Sequence, residues 1–100
     1  MNPNSLQFLV EWFARQCDGE WEHESGIRIE TLDNPGWAIH IRIEDTELEG
    51  RAVDWVRSEE DEAHWLHWRS TGSTFDAACG PRDLERALAA FESFVTQGGS

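Results

Sequence analysis

The sequence contains no lysine, and all eight of its basic residues are arginines. Without lysine the chain can form neither a Schiff base nor a Walker-type phosphate-binding loop. Tyrosine is also absent, and the apolar runs are only a few residues long, far too short to cross a membrane. The N-terminus has no basic segment followed by a long apolar run, so we expect no secretory signal peptide and a cytoplasmic location.

Residues able to bind metal or act as nucleophiles are few. Cys17 and Cys79 are the only cysteines and lie far apart, which gives neither a disulfide framework nor a zinc motif. His64 and His67 are three residues apart, a spacing that places them on opposite faces of a strand. We therefore expect no catalytic site, no metal and no cofactor. A small thiol or sulfur-transfer enzyme using Cys79, just before a predicted helix, is the enzymatic alternative.

What the sequence has in abundance is negative charge. Twenty acidic residues against eight arginines give a formal net charge of −12. Residues 18–62 alone hold fifteen acidic residues and four arginines. Such a field repels nucleic acid and anionic lipid and attracts basic proteins, so we expect a basic protein partner, no nucleic acid and no membrane partner. The alternative interpretation is that the charge only keeps a small protein soluble.

The composition is that of a folded domain. Hydrophobic residues make up 39% of the chain, and six of them are tryptophans. One hundred residues fit one domain, 1–100, of which residues 98–100 are expected to form a frayed tail. Tryptophan is enriched both in small cores and at protein interfaces, so its number favours a core and a binding surface alike. The sequence gives no indication of oligomeric state.

Periodicity predicts a helix at each end of the chain. The first runs from Leu6 to Cys17, with Ser5 as N-cap and Gly19 as C-terminal stop. Its predicted apolar stripe consists of Leu6, Leu9, Val10, Phe13 and Cys17. The last helix opens at residues 80–83, with Pro81 in its first turn. The predicted stripe of this helix consists of Leu84, Ala87, Leu88, Phe91 and Val95, with Phe94 beside it.

Alternating patterns between the helices predict four or five strands. They cover residues 27–32, 37–44, 51–58, 63–69 and, as a short fifth strand, 74–78. Pro35 and Gly36 suit the centre of a type II turn, but a two-residue hairpin would mix the two faces, so we expect a bulge or a longer loop there. The acidic run 58–62 is predicted to be an exposed turn. The fold class is α+β: an antiparallel sheet with both helices packed on one face.

Two segments combine acidic residues with tryptophan, as a surface for a basic protein would. Both are predicted to bind a partner. The residues of the first segment are Asp18, Glu20, Trp21, Glu22 and Glu24. Those of the second are Asp33, Asn34 and Trp37. The alternative is that Trp21 and Trp37 close the core beneath their loops.

These same segments resemble the immunity-protein-53 family of bacterial polymorphic toxin systems. The resemblance rests on residues 9–16 leading into Cys-Asp-Gly-Glu-Trp-Glu-His at 17–23, on Gly26-Ile27, on Thr-Leu-Asp-Asn-Pro-Gly-Trp at 31–37, and on Gly80-Pro81 with Asp83-Leu84. It is densest over residues 12–43 and loose over 44–78. It implies a cytosolic protein that binds a cognate toxin domain and blocks its active site or substrate surface.

The hypothesis favoured by residues and resemblance together is an acidic inhibitor of a basic toxin, such as a nuclease. The acidic, tryptophan-containing surface would receive the toxin's arginines and lysines. Two other hypotheses stay open: the Cys79 enzyme, and a non-catalytic adaptor domain in a larger complex.

Overall fold

The computed structural model describes residues 4–24 and 26–97. The helices are α1 (Ser5–Gln16), the short α2 (Trp21–Glu24) and α3 (Leu84–Gln97). The strands are β1 (Ile27–Leu32), β2 (Gly36–Arg42), β3 (Ala52–Glu59), β4 (Trp65–Thr71) and β5 (Thr74–Cys79). The predicted α+β class and all five strands are confirmed, whereas the tail at 98–100 lies outside the described residues.

The strands form one antiparallel sheet in the order β1-β2-β5-β4-β3. Its central strand is β5, which pairs with β2 although the β3–β4 hairpin lies between these two strands in sequence. The register places Ile39 opposite Ala77 and Ala77 opposite Trp68, so apolar residues of three strands share one face. A register shift between Val53 and Val56 marks a bulge in β3.

The core lies between this face of the sheet and the layer formed by α1 and α3. Its largest fully buried side chains are those of Trp12, Phe75, Phe91, Ile39, Ile41, Ile43 and Leu48. Phe91 is at the centre, with its ring 5.1 Å from both Trp12 and Phe75 in edge-to-face geometry, an arrangement that aromatic rings prefer. The opposite face of the sheet carries no helix in the described part of the chain.

The N-terminal helix forms where expected but buries a different face. Its N-cap is Asn4, whose side chain accepts a hydrogen bond of 2.7 Å from the Gln7 amide, and not Ser5 as predicted. Ser5 is buried and donates to Glu92 of α3 at 3.0 Å. Leu9 and Trp12 are buried, while Leu6 and Val10 of the predicted stripe are about half exposed. The helix has two apolar faces, and contact with α3 selects the one that contains Trp12.

The β1–β2 turn keeps the two apolar faces in register. Leu32 pairs with Gly36, so the connection consists of residues 33–35, the longer loop that the alternation required. The Asn34–Pro35 peptide bond is cis. Gly36 belongs to β2, so Pro35 and Gly36 do not form the centre of a type II turn. A Cβ atom on Gly36 would overlap the carbonyl oxygen of Cys79, which explains the need for glycine in this strand.

The C-terminal helix begins at Leu84, three residues after Pro81, so the prediction of Pro81 in its first turn is wrong. Asp83 precedes the helix and its carbonyl accepts the Ala87 amide at 3.1 Å, which makes Asp83 the N-cap. Ala87, Leu88, Phe91 and Phe94 form the buried stripe. Phe94 is therefore inside the stripe that the sequence placed beside it.

Candidate functional site

The open face of the sheet contains a groove of about 820 Å3 at the end where the β1–β2 turn and the β3–β4 turn lie side by side. Ala78 of β5, a small residue, lines the groove beside the larger side chains of Trp65 and His67 on β4. The lining residues are Asn34, Glu59, Glu60, Asp61, Glu62, Trp65, His67 and Ala78.

Four consecutive carboxylates, Glu59–Glu62, form one wall of the groove and are called the acidic rim below. All four residues are exposed. Two of them are held by side chains of the protein: Glu59 lies 2.6 Å from His67, and Glu60 accepts from Arg86 at 3.0 Å. The hydrogen bond from Arg86, together with the hydroxyl of Ser58, lowers the pKa of Glu60. Glu60 is therefore ionised at neutral pH.

The turn that carries the acidic rim is itself ordered by Asp61. One oxygen of its carboxylate accepts the amides of Ala63 and His64, at 2.8 and 2.9 Å. This Asx-type turn is reinforced by the Glu60 amide, which donates to the His64 carbonyl at 3.0 Å. The negative charges of the rim are thus preorganised, which reduces the entropy lost when a partner binds.

Trp65 provides an aromatic surface beside the acidic rim. Its ring lies over Gly36 and its centroid is 5.2 Å from that of His67. Its amide donates to the buried carboxylate of Asp83 at 2.9 Å, so the start of β4 is joined to the start of α3. A partly exposed indole next to carboxylates suits a cationic side chain, because the ring face and the anions attract the same charge.

The residues predicted to bind a partner divide between two ends of the sheet. Asp18–Glu24 precede β1 and Asp33–Trp37 follow it, and a strand of that length separates them by roughly 20 Å. The structure therefore does not unite them into one surface. Only Asn34 lines the groove directly; Asp33 is exposed in the same turn.

In the first segment, two of the acidic residues stabilise the loop before α2. The Asp18 carboxylate accepts the amides of Glu20 and Trp21, at 2.9 and 3.0 Å. The Glu22 carboxylate accepts those of Asp18 and Gly19, at 3.0 and 2.8 Å. Backbone amides lower the pKa of both carboxyl groups: those of Trp21 and Glu20 act on Asp18, and chiefly its own amide acts on Glu22. Glu20 is exposed, and the side chain of Glu24 lies outside the described residues.

The two tryptophans of the predicted surface contribute to the core. Trp21 is only 6% exposed, and its indole N–H donates to the Glu44 carbonyl at 3.1 Å. Trp37 is half-buried against the core, and its indole N–H donates to the Pro81 carbonyl at 3.0 Å. The aromatic side chain that the open face presents at the groove is Trp65, for which the sequence pattern predicts only a place in a strand.

The acidic rim and Trp65 were therefore missed as a site, although their signal was present. The run 58–62 was interpreted as a solvated turn, and Trp65 follows it by three residues. An acidic run between two adjoining strands has to lie at a sheet end, next to the first side chains of the second strand. Which other turn shares that end depends on strand order, and strand order cannot be obtained from local patterns.

Cys79 is fully buried, which bears on the enzymatic alternative. Burial, with the nearby negative charge of Asp83, raises the pKa of its thiol to about 11. A protonated thiol without access to solvent is a poor nucleophile. No group of three or more His, Cys, Asp or Glu side chains among the described residues is placed to hold a metal ion.

We expect the two thiols to differ sharply in reactivity. Cys17 is exposed, whereas Cys79 is buried, so a disulfide reagent such as DTNB at mildly alkaline pH should label one thiol per native chain. The second should react at least about a hundredfold more slowly, at the rate of opening of the structure. The Cys17→Ser variant is the control and should show almost no rapid labelling. Rapid labelling of Cys79 in that variant would contradict the burial described above.

Within the described residues, no helix has the length and apolar character needed to cross a bilayer. The model of one protein family, described as Immunity protein 53, matches residues 6–96, nearly the whole chain. No curated protein and no solved structure matches this chain.

Proposed function

Since the chain belongs to the Immunity protein 53 family, whose name implies neutralisation of a toxin, we propose that it does so through the groove on the open face of the sheet. The observation that carries this assignment is the ordered acidic rim beside Trp65 in the groove on the open face of the sheet. The groove would receive a basic segment of a cognate toxin domain, and the bound protein would block that toxin's active site or substrate surface.

The chemistry of the groove favours lysine and arginine side chains of the partner. Glu62 is exposed at the hairpin tip, and Asn34 on the facing turn offers amide and carbonyl groups. An arginine entering between them can pair with carboxylates and stack on the Trp65 ring. Because the rim is held in place by Arg86 and by its own Asx-type turn, little order has to be created on binding.

The charge of the whole protein supports a basic partner. A net charge of −12 accelerates the approach of a cationic toxin, and the effect decreases as salt is added. Proteins that act on nucleic acids present basic surfaces to phosphate. A nuclease is therefore the toxin class that best fits the charge, and an acidic occupant of its substrate surface would stop it.

Reversal of charge at the hairpin tip tests this assignment. We expect Glu62→Lys to weaken binding to a cognate toxin domain by about tenfold or more, because a carboxylate close to a toxin cation becomes a repulsive ammonium. Glu62 is preferred to Glu60 and Asp61, whose carboxylates hold the hairpin together. Calorimetry or surface plasmon resonance would give the affinity, and growth on toxin induction would give protection.

The matched control is Glu20→Lys, which changes the net charge equally at the other end of the sheet. We expect it to reduce the association rate modestly and the affinity by less than about threefold, because only the long-range field changes. Equal losses for the two variants would show that charge acts without a defined site. A larger loss for Glu20→Lys would instead assign the interface to the α1–α2 loop.

A further inference from the structure

The outer edge of β1 is unpaired in the described part of the chain. β1 is at the end of the sheet, so no strand within residues 4–24 and 26–97 lies along one side of its backbone. The Arg42 amide donates to the Gly26 carbonyl at 3.0 Å, and hydrogen-bonded pairs alternate along an antiparallel ladder. Consequently the backbone groups of Ile27, Ile29 and Thr31 point away from β2, towards the free edge.

The side chains along this edge are apolar on the helix side. Ile29 is 37% exposed, and on the neighbouring helix Leu6 and Val10 are 49% and 51% exposed. Val10, Phe13 and Ile27 line a groove of about 400 Å3. Exposed edges are usually protected by charge or covered, and the apolar side chains on the helix side of this edge favour a covering partner.

On the open face, β1 presents two opposite charges, Arg28 and Glu30, both exposed. They are two residues apart, one on each side of Ile29. If two copies of β1 pair antiparallel about a two-fold axis at Ile29, Arg28 of each copy lies opposite Glu30 of the other. The same register places Ile29 opposite Ile29 and Ile27 opposite Thr31, which are the residues whose backbone groups are free.

We propose that the protein forms a symmetric dimer through this pairing of β1 with β1 of a second copy. The two-fold axis is perpendicular to the sheet, so the α1 helices lie on the same side and bring Leu6 and Val10 towards their counterparts. The interface is self-complementary in backbone hydrogen bonds, in charge and in apolar surface, as an isologous contact requires. It leaves the acidic groove, near the β3–β4 turn, free for the toxin.

The dimer is expected to be weak and favoured by salt. Two chains of charge −12 repel each other over long distances, and screening reduces this repulsion. The two Arg28–Glu30 contacts are short-range and each contributes little in water. Salt therefore strengthens dimerisation while it weakens association with a basic toxin, so the two interactions are distinguishable.

A charge swap on the full-length protein tests the pairing by sedimentation equilibrium. Arg28→Glu and Glu30→Arg should each raise the dimer dissociation constant by about tenfold or more, since each creates two like-charge contacts. The double variant R28E/E30R restores opposite charges and should return the constant to within about threefold of the unmodified protein. Arg57→Glu, on the opposite edge strand, changes the net charge as Arg28→Glu does and should preserve dimerisation.

The register is tested by cysteine cross-linking in a Cys17→Ser background. Ile29→Cys should form a disulfide between copies, because residues paired in a ladder have Cα atoms about 5.5 Å apart. Thr31→Cys should not, since its counterpart is displaced along the strand. A protein that stays monomeric at high concentration and high salt, a double swap that fails to restore dimerisation, or cross-linking through Thr31→Cys would each overturn the proposal. If the protein is monomeric and Arg28→Glu lowers its affinity for the toxin, the β1 edge would instead be part of the toxin-binding surface.

Discussion

Replacement of Trp12 by alanine should lower the free energy of unfolding by about 3–5 kcal/mol, the usual cost of removing a large aromatic side chain from a core. Trp12 is fully buried, with its ring 5.9 Å from Trp21 and 5.1 Å from Phe91. Its indole N–H also donates to Glu47 at 3.0 Å. Alanine would leave a cavity where α1, α2 and α3 meet. The total free energy of unfolding of a domain of this size is only about 5–15 kcal/mol.

Urea denaturation followed by circular dichroism measures this effect, with two variants for comparison. Trp12→Phe keeps most of the packing but loses the hydrogen bond to Glu47, so an intermediate loss is expected. Val10→Ala, two residues earlier on the exposed side of α1, should change stability by less than about 0.5 kcal/mol. If Val10→Ala were as costly as Trp12→Ala, α1 would have to bury the face that contains Leu6 and Val10.

Replacement of Asp83 by alanine should lower the free energy of unfolding by about 2–4 kcal/mol and weaken toxin binding as well. The Asp83 carboxylate is buried and accepts the Trp65 amide at 2.9 Å, with Arg86 at 3.5 Å. Its removal leaves a buried amide without an acceptor, which is costly, and Arg86 without one of its carboxylates. Because Arg86 also holds Glu60 and the amide belongs to Trp65, both sides of the groove lose support.

The graded comparison is Asp83→Asn, which retains an acceptor for the Trp65 amide but loses the ion pair with Arg86, so a smaller loss is expected. Asp54→Ala, at an exposed position of β3, serves as the surface control and should be nearly neutral. Thermal unfolding reports stability, and toxin titration at a temperature where each variant is folded reports binding. If the folded Asp83→Ala variant bound the toxin with unchanged affinity, toxin binding in the groove would not depend on the N-cap of α3.

The element pattern could be predicted from sequence because it depends on local periodicity. The alternation of Ile39, Ile41 and Ile43 identified the core face of β2, and parity predicted either a bulge or a loop longer than two residues before Gly36. Where two local signals competed, tertiary contact decided between them. In α1, the stripe through Leu6 and Val10 and the one through Phe8 and Trp12 are both apolar, and only the position of α3 selects the second.

The site was less accessible to sequence reasoning. The motif segments around Trp21 and Asn34 are conspicuous in the sequence, yet Trp21 is part of the core and Asp18 and Glu22 cap the loop before α2. The acidic rim acquires its neighbours through the pairing of β2 with β5 and of β5 with β4, which brings the tip of one hairpin beside the turn of another. Such non-local pairing is not encoded in any single segment.

The hairpin that bears the acidic rim has an evolutionary consequence. β3 and β4 lie between β2 and β5 in sequence, and their tip, residues 60–64, makes its backbone hydrogen bonds within itself. Substitutions or small insertions at such a tip alter charge and shape at little cost to the core. An inhibitor that has to keep pace with a changing target could thus diversify its recognition there while Trp12, Phe75 and Phe91 stay constant.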